Sequence, residues 1–145
     1  MNAQRGIDLE RFKDAQEGVY IQALSELAAG RKRTHWMWFV FPQLAGLGMS
    51  QMSQDYAIRS AAEASAYLAD PLLGPRLRRC TEAMLSAPGR TAHDILGHPD
   101  DLKFHSSMTL FATVSDVDSI FHRAIDRFFD GEPDKKTVSL LDAES

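Results

Sequence analysis

The sequence predicts an all-α, compact multihelical fold in a single domain spanning residues 1–145. Three observations predict it. Apolar residues recur at helical spacing in nearly every segment from Leu9 to Leu141. Residues that cap helices stand in front of those segments. The connections are short, with no internal repeat, low-complexity stretch or domain linker. With 145 residues, 44% apolar and 25% charged, the chain is long enough to bury its own core. One alternative stays open inside this class, a short strand at Met37–Phe41. Residues 1–7 and 142–145 are expected to be flexible ends.

Taken in order, Asp8 caps a short helix from Leu9 that carries Leu9 and Phe12 on one face. After Gly18, the spacing of Val19, Ala23, Leu24 and Leu27 gives a second helix, with Glu26 outward. Gly30 ends it, because glycine takes the left-handed cap at little steric cost. Arg31, Lys32 and Arg33 then stand at the negative end of the helix dipole. His35–Phe41 has no polar residue after His35, and its length fits either a buried strand or a buried helical turn. Pro42 stops it. Gly46 and Gly48 permit close backbone approach to a ligand or to another segment. Ser50 or Ser53 opens a short helix through Tyr56.

Ser60 and Glu63 have capping-box spacing, and the helix they open runs to about Ala69. Asp70-Pro71 starts the next, with Leu72, Leu73, Leu77, Cys80, Met84 and Leu85 as its apolar face and Pro88-Gly89 as its stop. Thr91 caps a short helix carrying Ile95 and Leu96, which Gly97 ends. Pro99-Asp100-Asp101 is an acidic start for a helix to about Val114. Phe104, Met108 and Phe111 form its core stripe, and Lys103, Ser106 and Ser107 an adjacent polar stripe. Ser115 or Asp116 caps the following helix, with Ile120, Phe121, Ala124, Ile125 and Phe128 inside. Asp134 opens a final helix through Leu141.

Composition narrows the function. A net charge of -4 argues against a general nucleic-acid binder. The one cysteine, Cys80, cannot form an internal disulfide, which fits a reducing cytoplasm. No apolar run approaches the roughly 20 residues needed to span a bilayer, so no membrane association is expected. Met1–Glu10 has no apolar core and is not expected to be a signal peptide. His93, His98, His105 and His122 lack zinc-ligand spacing, so no metal is expected. The glycines do not form a dinucleotide fingerprint, and no cofactor is expected. No nucleophile elbow is present.

Chemistry concentrates in Gly30–Gln43, GRKRTHWMWFVFPQ, which holds both tryptophans. Arg31 and Arg33 offer planar forks for an oxyanion. Trp36 and Trp38 would share one side of a strand and wall a pocket. His35 brings an imidazole, a group that serves as acid, base or hydrogen-bond donor. A second polar cluster is Lys103 with Ser106 and Ser107 one turn on, and Tyr56 is a further candidate. The plain alternatives are solvated cations, tryptophans packed in the core, and serines bonded back to the preceding turn. For catalysis the candidates are His35 and Asp101, each without a supporting partner in sequence. Cys80 reads as core.

These same residues carry a likeness. GRKRTHWMWFVFPQLAGLG, YAIRS, LGPRL and PDDLKFHSSMTLF resemble, in order, the signature segments of a bacterial family termed domain of unknown function 1810. Some of its members carry the label calpastatin. The resemblance runs from about Leu9 to Leu141. It implies a small all-α fold and no particular reaction.

The leading functional expectation is a cytosolic ligand-binding domain. Its basic and aromatic pocket would be formed by Arg31, Arg33, His35, Trp36, Trp38, Tyr56, Lys103, Ser106 and Ser107. A small anionic molecule, such as a nucleotide, would suit those groups. The alternatives are a small hydrolase acting on a nucleotide or ADP-ribose derivative, and a protein-interaction module with the aromatic run as a hot spot.

Overall fold

The computed structural model describes residues 7–87 and 89–144. Residues 1–6, Pro88 and Ser145 lie outside the described residues, and with them most of the expected N-terminal tail and one expected helix stop. Among the described residues there are ten helices, and the β structure is one isolated parallel bridge, Leu44 to Ile58.

The first four helices are α1 (Glu10–Gln16), α2 (Tyr20–Ala28), α3 (Met37–Val40) and α4 (Gln51–Asp55). Asp8 accepts the Glu10 amide at 3.1 Å, and Phe12 is buried. Gly30, with φ +77, closes α2 in a double cap. Its N–H donates to Leu27 O at 2.9 Å, and the Arg31 N–H to Glu26 O at 3.0 Å. The strand alternative at Met37–Phe41 is not what forms: the segment is the helical turn α3. Trp36 and Trp38 therefore do not share a strand face. Ser50 caps α4, its hydroxyl accepting the Ser53 amide at 3.1 Å.

Then follow α5 (Ala61–Ala69), α6 (Leu73–Leu85) and α7 (Ala92–Leu96). Ser60 accepts the Glu63 amide at 3.1 Å. The Glu63 carboxylate does not close the box, since it is buried and pairs with Arg11 at 2.7 Å. Asp70 accepts the amides of Leu72 (3.0 Å) and Leu73 (2.9 Å). Thr91 and Asp94 form a complete capping box. Cys80 is fully buried on α6, and burial pushes its thiol up to about 12. We expect Cys80 in the folded protein to resist thiol-reactive dyes, since the thiolate is the reacting species. Denaturant should expose it, and fast labelling under native conditions would contradict this placement.

Last come α8 (Asp100–Thr113), α9 (Ile120–Phe129) and α10 (Lys135–Glu144). The expected caps of α9, Ser115 or Asp116, are displaced by Ser119, whose hydroxyl accepts the His122 amide at 3.2 Å. Asp134 opens α10 as expected, accepting the Thr137 amide at 3.0 Å and its hydroxyl at 2.6 Å. That helix continues to Glu144, and the Glu144 carboxylate accepts the Ala61 amide at 2.8 Å.

Helix α8 is the hub, packed by α5, α7, α9 and α10. Phe104, Met108 and Phe111 are fully buried, as their spacing predicted. The expected polar stripe beside them does not exist, because every residue from Ser106 to Ala112 is buried. A helix wrapped on several sides has no room for a long solvated face. Ring contacts tie the aromatic run to this hub: Phe41 meets Phe104 edge-on at 5.0 Å.

Candidate functional site

The site begins with Glu26. It was expected outward, yet it is only 4% exposed. The double cap at Gly30 turns the chain back, so that residues 33–36 fold over the last turn of α2. The carboxylate then accepts from the amides of Arg33 (2.7 Å) and Thr34 (3.0 Å). It also accepts from the Thr34 hydroxyl (2.7 Å), the Trp36 indole (2.9 Å) and Gln22 (2.8 Å). Burial alone would raise its pKa. The Arg33 amide, Gln22 and Thr34 outweigh that, and the carboxyl is held well below the usual range. Glu26 thus fixes the conformation of the basic and aromatic run.

That fixing sorts the run's side chains. Arg31, Arg33 and His35 are exposed, and Trp36 is buried on Glu26. Lys32 turns inward. Its amide donates to Ile95 O at 2.7 Å, and its ammonium pairs with Asp100 at 2.9 Å and lies 5.3 Å from the Trp36 ring centre. Lys103 pairs with the other Asp100 oxygen at 3.5 Å and lies 5.3 Å from the Trp38 ring centre. The two stretches singled out in sequence do meet. They meet through Lys32, Asp100, Lys103 and the tryptophans, while Arg31, Arg33 and His35 stay outside these contacts.

Ser106 and Ser107 do not join them. Ser106 donates to Leu102 O (3.2 Å) and to Asp134 (3.2 Å), and Ser107 is fully buried. The hydroxyl of Ser107 has no partner among the described residues. The two separate catalytic candidates stand apart from this group: His35 is exposed and Asp101 turns to two other histidines. Asp101 accepts the Leu102 amide at 2.9 Å and faces His98 (3.1 Å) and His93 (3.6 Å). His105 stacks on Phe129 at 3.9 Å, with its Nε2 on Glu132 O at 2.6 Å.

Half-buried Trp38, with Gln43, Ser53, Tyr56 and Lys103, lines a small cleft, together with buried Met37 and Phe41. Its volume of about 10 Å³ is room for about one water. The Trp38 indole N–H is buried and has no acceptor among the described residues. A larger groove, about 710 Å³, lies between α5, α6 and α9, with Arg78, Glu82, Asp118 and Arg123 in its lining. None of the candidate binding or catalytic residues named from the sequence lines it. The cleft carries the more specific chemistry, an unsatisfied donor beside a cation. Sequence reasoning missed Lys32, Gln43 and Asp100. For Lys32 the sequence held no signal, since it stands between two arginines of the same charge.

The model of the family described as protein of unknown function, DUF1810, matches residues 6–141. The crystal structure of the conserved hypothetical protein Rv1873 from Mycobacterium tuberculosis is 50% identical in sequence, with a TM-score of 0.92. That likeness covers 94% of this chain and 98% of that one. No curated protein matches.

Proposed function

We propose, for a chain that belongs to the DUF1810 family of proteins of unknown function, a single-domain cytoplasmic binder of a small anionic molecule, held in the Trp38–Lys103 cleft. One observation carries this reading: Trp38, whose buried indole N–H has no acceptor among the described residues, lines the cleft together with Lys103. A buried donor without an acceptor costs about 1–3 kcal/mol. An oxygen of a carboxylate or phosphate would relieve that cost, and the ammonium would attract its charge. Gln43 and Tyr56 can complete the oxygen's hydrogen bonds. With room for about one water, the cleft admits a single oxygen of a small oxyanion or of the anionic end of a larger molecule, the rest of the ligand lying outside it. The hydrolase alternative, with His35 or Asp101 as its acid–base group, is the less favoured reading, since neither residue lines the cleft.

A thermal-shift panel of phosphate, acetate and a nucleoside monophosphate tests this. A ligand that binds only the folded state adds about 2.7 kcal/mol at a hundredfold excess over its Kd. For a chain of this size that is a rise of roughly 5–10 °C. Lys103→Met and Trp38→Phe should each abolish the response, while Arg33→Ala and His35→Ala should retain it. The reading fails if no anion stabilises the protein, or if Arg33→Ala loses as much as Lys103→Met.

A further inference from the structure

The loop between Leu44 and Ile58 is pinned at its ends and held to the core by Leu47. Across the Leu44–Ile58 bridge, the Ala45 N–H donates to Ile58 O at 2.7 Å and the Ile58 N–H to Gln43 O at 2.8 Å. Arg11 clamps the returning end, donating to the carbonyls of Asp55 (3.1 Å) and Ala57 (2.8 Å). Leu47 packs against the core, whereas beyond it, among the described residues, the hydrogen bonds of residues 49–54 stay within the loop. Ser53 and Gln54 donate their amides to Ser50 at 3.1 and 3.0 Å, and the Gln54 side chain reaches Met49 O at 3.0 Å. Helix α4 buries none of its residues, and Met49 is 87% exposed. A segment with few buried contacts opens locally at low free energy.

The same loop supplies Ser53 and Tyr56 to the Trp38 cleft. Its seating depends on one close approach. A Cβ added at Gly48 would lie 2.3 Å from Ser53 Cβ and 2.5 Å from its hydroxyl oxygen. Only glycine lets α4 sit against this strand of loop, and α4 carries the Ser53 wall of the cleft.

We infer that residues 49–54 are a lid over the Trp38–Lys103 cleft, seated where Ser53 rests on Gly48 beside core-packed Leu47, and displaced to admit the anion. The inference rests on the anion-binding reading for its purpose, but the motion is testable with no anion present. Gly48→Ala should unseat the lid without disturbing the helices behind it. Acrylamide quenching of Trp38 fluorescence should rise several-fold, because Trp36 is buried on Glu26 and contributes little to it. A Trp38→Phe background should abolish that rise. Amide exchange should quicken in residues 49–54 and stay unchanged in α6 and α8. Unchanged quenching, or exchange that quickens throughout α8, overturns the lid. If Gly48→Ala does not fold, the wild-type protein decides. A lid requires faster exchange at residues 49–54 than at 103–111, and equal protection overturns it. These arms contain no ligand, so their failure leaves the thermal-shift result standing, and failure of that panel leaves the lid standing.

Discussion

Glu26→Ala is expected to destabilise the protein by about 3–5 kcal/mol, because it leaves the buried Trp36 indole and its neighbouring donors without their acceptor, at about 1–3 kcal/mol for each buried group left unsatisfied. On a chain of this size that lowers Tm by roughly 10–15 °C. The substitution removes the acceptor of two amides, a hydroxyl and the buried Trp36 indole. The carboxylate stands near the C-terminal end of its own helix, where the dipole disfavours a negative charge. Its donors must therefore supply the stabilisation. The same network predicts a pH dependence. The folded pKa lies below that of the unfolded chain, about 4.3. The contribution is therefore complete above that value and is lost as pH falls through and below it. Asp70 and Asp94, also held low, act in the same direction. Glu26→Gln keeps the shape and should flatten, without abolishing, the fall in stability between neutral and acid pH. Urea melts at neutral pH and in acid would measure this. A fall as steep in Glu26→Gln as in the wild type would show that Glu26 carries no such role.

Phe111→Ala should cost about 3–5 kcal/mol, the usual range for emptying a fully buried aromatic site. The ring is fully buried, 5.4 Å from Tyr67 on α5 and 5.8 Å from Phe121 on α9. Its loss therefore loosens both helices that pack on α8. Against a total stability of about 5–15 kcal/mol, this is a large fraction. Ile21→Ala is the matched control, at 73% exposure, and should stay within about 0.5 kcal/mol. A loss under about 1 kcal/mol for Phe111→Ala would mean that the site collapses around the vacancy or that the ring is not in the core.

The sequence by itself determined where most helices start and stop, because a cap is a local bond between a side chain and an amide two or three residues on. Ser50, Ser60, Thr91 and Asp134 all cap in the structure as their spacing predicts. It also determined the core stripe Phe104, Met108 and Phe111, whose period matches the helix. It did not determine which chemical groups meet. Glu26 reads as a solvent-facing helix residue until the chain turns back at Gly30 and lays four donors over it. Ser107 reads as a surface hydroxyl until four other helices enclose α8. Lys32, between two arginines of the same charge, differs from them only because Asp100 arrives from 68 positions away in the chain (100 − 32). Helical period places a residue on a face. Only the packing of distant segments decides whether that face meets water, a partner or the core.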